Sequence, residues 1–276
     1  MGTAGPLAVA REVLQGTEPF FVLNSDVVCE FPFKLLLNFH KSHKGEGTIL
    51  TTPVDDPSKY GVVLADKEGM IERFVEKPKD YVGNQINAGI YIFDPTILDR
   101  IPLKPTSIER EIFPKVAADH SLYAMRLPGF WMDVGQPPDF LTGQHMFLLQ
   151  QREATPDALV TGDHIVGNVL IDESATIGRD CRIGPDVVIG PGVTIGNGVR
   201  IANSCLLAGV TVASNALISG SIVGWRSRVG RWARMQNLSV VGECVVVKDE
   251  VVLNGTKVLP HKSVSASIYE EGTIIM

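Results

Sequence analysis

The chain has 276 residues, of which 45% are hydrophobic and 20% charged, with a formal net charge of −6. Such a composition belongs to a globular protein with length for two modest domains, and its acidic balance argues against a nucleic-acid partner. No run of about 18 apolar residues exists, so no membrane span is expected, and the N-terminus lacks the basic and apolar regions of a signal peptide. Cys29, Cys181, Cys205 and Cys244 are widely spaced, with no C-x-x-C pair. That pattern points to ordinary buried thiols in a cytoplasmic protein rather than to metal ligands or disulfides.

The chain opens on "MGTAGPLAVAREVL". Gly2, Thr3, Ala4, Gly5 and Pro6 form a glycine-bearing turn that runs into a helix, with Thr3 as the predicted cap and Pro6 in the first turn. Turns of this kind usually follow a strand and often hold a phosphate or a base. "FFVL" (20–23), ending in "NSD", reads as a buried parallel strand. Residues 32–44 read as an amphipathic helix and 47–53 as a strand. "YGVVLADKEGMIERFVEKP" predicts two strands around an Asp-Lys-Glu-Gly turn. "INAGIYIF" is a further strand, "TSIEREIFPKVAADH" a capped helix and "QPPDFLTGQHMFLLQQRE" a long one. Strand and helix thus alternate over 1–150, as in an α/β sheet domain, and 151–164 reads as a linker.

From about residue 165 the pattern changes. Ile165, Ile171, Ile177, Ile183, Ile189, Ile195, Ile201 and Leu207 stand six residues apart. A second apolar or small residue follows each of the first seven by four positions, from Val169 to Cys205. After a slip near 213–222 the ladder resumes as Val223, Val229, Met235, Val241, Val247, Leu253 and Leu259. A period of six fits neither a helix nor a hairpin sheet. It suits a solenoid over 165–264 in which the aliphatic points inward and glycine permits the corner, with 265–276 as a tail. Within it, "VGWRSRVGRWARM" brings Trp225, Trp232 and four arginines together. This stretch reads either as an outward polar strip or as an oligomer contact.

The order "GTAGPLA", "FFVLNSD", "KYGVV", "FVEKP", "INAGIYIF", "FWMDVGQPPDFL" and then hexapeptide repeats resembles the sugar-nucleotide pyrophosphorylases, and among them the β-type GDP-mannose pyrophosphorylases, over essentially the whole chain. The resemblance implies a Rossmann-like α/β nucleotidyltransferase fold followed by a left-handed parallel β-helix of hexapeptide repeats. The implied reaction joins mannose 1-phosphate to GTP and releases pyrophosphate. Both reactants are polyanions, so the chemistry needs lysine and a divalent metal to neutralise their repulsion. Mg²⁺ prefers hard oxygen ligands and keeps several waters, so two carboxylates suffice.

Residue by residue, the resemblance implies that Asp26 binds nucleotide and Mg²⁺ and that Asp133 is the second metal ligand. Lys77 would grip the sugar phosphate, Gly61, Glu76, Asn87 and Gly89 would contact the sugar, and Gly2, Thr3 and Ala4 would hold the guanine. Locally, Asp26 is equally a solvated acid at a strand end, and Asp133 the start of the turn before Gly135. Lys77 reads as a surface lysine, and Gly61 and Gly89 as marks of bulges. Self-association and a related α-type regulatory subunit are the implied partners.

The family's opening strand and its signature G-x-G-T-R-L-x-P-L-T have no copy in the chain. The expectation is therefore an N-terminally incomplete transferase fold, without its first βαβ portion, that makes no measurable GDP-mannose by itself. A non-catalytic scaffold subunit is the alternative. A hexapeptide-repeat acyltransferase fits less well, because His164 and His261 lie at the outer limits of the repeat and no histidine lies inside it.

Overall fold

The computed structural model describes residues 2–16 and 18–276. The chain divides into two compact units, Met1–Trp131 and Met132–Met276. In chain order the first carries α1 (Gly5–Val9), α2 (Arg11–Leu14), β1 (Phe20–Leu23), β2 (Val27–Cys29), α3 (Phe33–Ser42), β3 (Gly47–Pro53), β4 (Gly61–Ala65), β5 (Ile71–Glu76), β6 (Gln85–Phe93), α4 (Phe113–Ala118) and β7 (Leu122–Arg126). Its sheet has the order β5-β4-β6-β3-β7, with β1 also paired to β6.

β6 is the axis of this sheet, and its alternation sorts the core onto two faces. Ala88, Ile90 and Ile92 pack with Leu50 and with Leu36 of α3. Tyr91 and Phe93 face the other way, into a core of Ala4, Ala8, Phe74, Ile108, Ile112 and Phe113. Asn87 and Gly89 share the Tyr91 face by the same alternation.

Two local expectations need correction. The "FFVL" strand runs antiparallel to β6, with Phe20 opposite Phe93, and most of it is only half-buried. A short apolar run does not specify direction, and among the described pairings this strand uses one partner. Nor does Thr3 cap α1. The N-cap residue is Ala4, with no side-chain cap bond, while the Thr3 hydroxyl accepts from the Ile108 amide at 2.9 Å. The "TSIEREI" segment is capped as expected, since Ser107 accepts from the Arg110 amide. It opens, however, with a π-helical turn, Ile108–Ile112, ahead of α4.

After β8 (Trp131–Asp133) comes α5 (Pro137–Ala154), and then a coil of short parallel strands stacked in three sheets. Successive turns are 18 residues apart where Val169 pairs with Val187, and 17 apart where Val187 pairs with Ser204. The inward column is Ile183, Ile189, Ile195, Ile201, Leu206, Val212, Ile218, Val223, Val229, Met235, Val241, Val247, Leu253, Val258 and Val264. Five-residue steps therefore follow Ile201, Ile218 and Leu253, in place of a single slip. Leu206 rather than Leu207 faces inward, and Leu259 is exposed. Adjacent apolar residues left that choice open in the sequence, and a corner one residue shorter resolves it. Within this unit α5 is tied to the coil by Gln144, whose amide donates to the carbonyls of Asp186 and Ser204 at 3.0 and 3.2 Å. Among the described residues, no helix is long and apolar enough to cross a membrane.

A polar chain lies between α3 and the sheet. The Gly45 amide donates to His43 Nδ1 at 3.0 Å, which places the proton of the neutral ring on Nε2, facing Thr48 Oγ1 at 2.8 Å. The Thr48 hydroxyl can then donate to His40 Nδ1 at 2.9 Å, leaving His40 Nε2–H towards Asp94 at 3.5 Å. Every donor meets an acceptor only while both rings are neutral. Burial pushes both histidines down, His43 to about 4, where charge on His40 adds and Asp94 opposes. An unfolded histidine titrates near 6.5, so between about pH 4 and 6.5 the unfolded chain binds more protons than the folded one. Stability is then full above pH 6.5 and declines as pH falls through that window. The urea midpoint should drop between pH 7 and 5, and His43→Phe should flatten the decline; a wild-type midpoint independent of pH would contradict it.

Candidate active site

Glu76 ends β5 directly opposite Gly61, the first residue of β4. It follows Phe74 by two positions and so shares its face of the sheet, the face of Tyr91. A Cβ at Gly61 would lie 2.5 Å from the Phe74 ring and 2.9 Å from Glu76 Oε2. Glycine at this position lets the Phe74 ring and the Glu76 carboxylate lie directly against the β4 backbone.

The chain leaves β5 through Lys77, which adopts φ +47° and donates its amide to the Tyr60 carbonyl at 3.0 Å. A lysine in the left-handed region is uncommon, and the α regions are further disfavoured immediately before proline, here Pro78. Strain of this kind persists where surrounding structure enforces it, and it collects at functional sites.

Asn87 is fixed at both ends of its amide. Nδ2 donates to the Tyr91 hydroxyl at 2.8 Å, and Oδ1 accepts from the Gly89 amide at 3.0 Å. Tyr91 is fully buried, and its ionisation is pushed up first by burial and then by the carboxylates of Glu109, Glu76 and Asp26. Three acids distant in sequence thus act on one phenol. Glu76 is itself raised above the usual carboxylate range, by burial first and then by Glu109, while Lys77 and Arg110 oppose.

Gly89, at φ +76°, makes room for the "NSD" turn: a Cβ there would meet Asn24 Nδ2 at 2.7 Å. The Asn24 amide donates to the Gly89 carbonyl at 2.8 Å. This contact sets Asp26 in the turn between β1 and β2, where it is exposed.

The opening turn is pinned to the segment before α4. The Ala4 amide donates to the Thr106 carbonyl at 3.0 Å. Thr3 Oγ1 donates to Glu109 Oε2 at 2.6 Å, and Ser107 Oγ donates to the same oxygen at 2.9 Å. A Cβ at Gly2 would lie 2.4 Å from the Thr106 carbonyl oxygen. Gly2 and Thr3 are exposed, and Ala4 is buried.

The first unit therefore holds Gly2, Thr3, Ala4, Asp26, Gly61, Glu76, Lys77, Asn87 and Gly89, linked through Glu109 and Tyr91. Asp133 belongs to the second unit, where its Oδ1 accepts from the Gly135 amide at 2.9 Å and closes a turn.

Sequence reasoning missed Tyr91, Glu109, Asn24 and Trp131, whose Nε1 donates to the Ala88 carbonyl at 2.8 Å. Alternation along "INAGIYIF" was a usable signal for Tyr91, four residues after Asn87 on the same face. Glu109 had none. Beside a serine cap it looks like Glu111, which does accept from the Ser107 amide.

Residues 1–151 match the family described as nucleotidyl transferase, and residues 165–274 match the GMPPB C-terminal domain. The mannose-1-phosphate guanylyltransferase catalytic subunit beta of Drosophila pseudoobscura pseudoobscura is 59% identical over 276 residues, covering 100% of this chain and 74% of that protein. Mannose-1-phosphate guanylyltransferase 1 of Arabidopsis thaliana is 57% identical, covering 97% of this chain and 75% of that one. The catalytic subunit beta of Dictyostelium discoideum is 58% identical, covering 100% and 77%.

Replacing Tyr91 by Phe removes the buried acceptor of Asn87 Nδ2 and should cost about 1–3 kcal/mol of stability. Urea denaturation measures this, and a change below about 0.5 kcal/mol would show that the Asn87 amide finds another partner.

Proposed function

The chain belongs to the mannose-1-phosphate guanylyltransferase family of nucleotidyl transferases, and on that premise we propose that its first unit binds mannose 1-phosphate for guanylyl transfer from GTP. An oxygen of the sugar phosphate attacks the α-phosphorus of GTP. The new P–O bond forms as the bond to pyrophosphate breaks, giving GDP-mannose.

Lys77 is the group proposed to grip the sugar phosphate. Its ammonium lowers the repulsion between two polyanions, and its strained backbone, held by the Tyr60 carbonyl, restricts where the side chain starts. That conformation is the observation that carries the reading. Glu76 and Asn87 are proposed to accept from and donate to the sugar hydroxyls. Gly61 lets Glu76 lie close to the β4 backbone, and Gly89 is proposed to contact the sugar through its carbonyl, since its amide is bonded to Asn87. The Thr3 hydroxyl is already committed to Glu109 and Ile108, so contact with the guanine falls to the exposed backbone of Gly2 and Thr3, with Ala4 anchoring the turn.

A divalent metal, proposed to be Mg²⁺, supplies neutralisation of phosphate charge when bound. Carboxylates suit it as hard oxygen donors. Asp26 is exposed and takes no side-chain hydrogen bond among the described residues, so it fits the role of ligand. Asp133 uses Oδ1 in its own turn and keeps Oδ2 for the same chemistry. The proposed setting is the cytoplasm, with the protein as a homo-oligomer accompanied by a related α-type regulatory subunit.

Calorimetric titration of the full chain with mannose 1-phosphate tests the reading. Lys77→Met should weaken binding by about tenfold or more, the scale of a hydrogen-bonded charge pair, and should leave the weaker binding of mannose itself unchanged. Equal affinity of wild type and Lys77→Met for the phosphorylated sugar would overturn the assignment.

A further inference from the structure

One flat face of the coil carries a column of arginines. Arg182 pairs with Arg200, Arg200 with Leu217, and Leu217 with Arg234, each on the next turn. Their neighbours Ile183, Ile201, Ile218 and Met235 point into the core, so alternation turns Arg182, Arg200 and Arg234 outward. Adjacent rungs lie about 4.8 Å apart, which sets Arg182 directly beside Arg200. Like charges so placed repel. Two other arginines of this coil are compensated, Arg226 by Glu243 and Arg231 by Asp249. Arg182, Arg200 and Arg234 have no ion-pair partner among the described residues. In a chain of net charge −6, this is a local concentration of positive charge, and among the described residues Asp180 is the one acid that lines the same groove.

The corner beside the column is the second observation. Asp180, Gly198, Asn215, Trp232 and Glu250 stack there, one per turn, all with positive φ. Glycine and asparagine are at home in that conformation, whereas a bulky tryptophan at φ +59° is an outlier. Trp232 recovers little by packing, because it is 61% exposed. Positive φ recurs at this corner on every turn and is set by the coil; what distinguishes Trp232 is a large exposed ring beside arginines that have no ion-pair partner among the described residues.

The two features meet in one groove of about 620 Å³, lined among others by Asp180, Arg200, Asn215, Trp232 and Arg234. That volume lies in the range of small-molecule sites. The groove offers guanidiniums for phosphate oxygens, an exposed indole for an aromatic ring, and an amide with a carboxylate for amino or hydroxyl donors. We propose that this face of the coil, through Arg200, Arg234 and Trp232, binds a nucleoside di- or triphosphate at a site belonging wholly to the second unit. The indole stacks on the base and the arginines hold the phosphates. Arg182, one rung beyond Arg200, extends the field towards a longer phosphate chain.

Titration of the full chain with GDP, followed by tryptophan fluorescence and by calorimetry, tests this. The protein has three tryptophans, so Trp232→Phe should keep most of the binding while losing most of the GDP-induced quenching. Arg200→Gln with Arg234→Gln should weaken GDP at this site by about a hundredfold, at about tenfold for each charge-assisted contact. Both residues are exposed and point away from the core, and circular dichroism verifies the fold. In the wild type the affinity should fall as salt is raised from 50 to 300 mM, a readout independent of any variant. The Lys77→Met protein should show the same quenching, which separates this site from the transferase site. GDP binding unaffected by the double arginine variant would overturn the proposal. So would pyrophosphate binding as tightly as GDP, which would leave the indole without a role. So would binding of poly-glutamate with no binding of GDP, which would assign the face to an acidic protein.

Discussion

The hydrogen bond from the Lys77 amide to the Tyr60 carbonyl closes the β4–β5 hairpin at the point where the chain should be least willing to bend. It holds a lysine in the left-handed region immediately before proline. Because β4 and β5 are in register from Gly61 opposite Glu76, the same closure fixes Glu76 next to the lysine. Glu76 in turn lies on the face of β6 that carries Asn87 and Tyr91. If the exit from β5 relaxed to an extended conformation, the lysine side chain would start from a different direction while the apolar core stayed as it is. The strain is therefore local to the site, held by the hydrogen bond from the Lys77 amide to the Tyr60 carbonyl at the edge of the hairpin.

Charge supplies the second constraint. Glu76, Glu109 and Asp26 all act on the buried Tyr91 hydroxyl, and Glu109 raises Glu76 directly. Such a gathering of acids is unfavourable in an empty protein and becomes favourable when cations or hydroxyl donors enter. Glu109 is also the acceptor for Thr3 and Ser107. One carboxylate thus links the position of the opening turn to the electrostatics of the proposed sugar subsite. A change at Glu109 would disturb both, though it is a positioning residue and not one assigned to touch substrate.

Much of the fold was legible because its signals are local. The six-residue recurrence of aliphatics needs only the rule that every inward residue of a coil must be apolar, and the strands of β3 to β6 follow from alternation and turn chemistry. What was not legible depends on partners far along the chain. Leu206 and Leu207 are chemically alike, and only the shorter corner before Leu206 decides which one faces inward. The direction of β1 depends on β6, some seventy residues later. Thr3 looked like a helix cap until Ile108 and Glu109 claimed its hydroxyl. The candidate site residues rest on resemblance rather than on pattern, since Lys77 is locally a surface lysine and Asp26 an acid in a turn. The grouping of Glu76, Asn87 and Asp26 around Tyr91 depends on the register of β4 and β6, which sequence spacing does not set.

The most direct measurement is on Lys77→Gly, followed by thermal and urea denaturation and by titration with mannose 1-phosphate. Glycine accepts a positive φ without steric cost, so relief of the left-handed strain should raise stability by about 1 kcal/mol while binding of the sugar phosphate is lost. A variant that is destabilised, or one that binds mannose 1-phosphate as the wild type does, would contradict the view that backbone strain is held at this position in order to place the lysine.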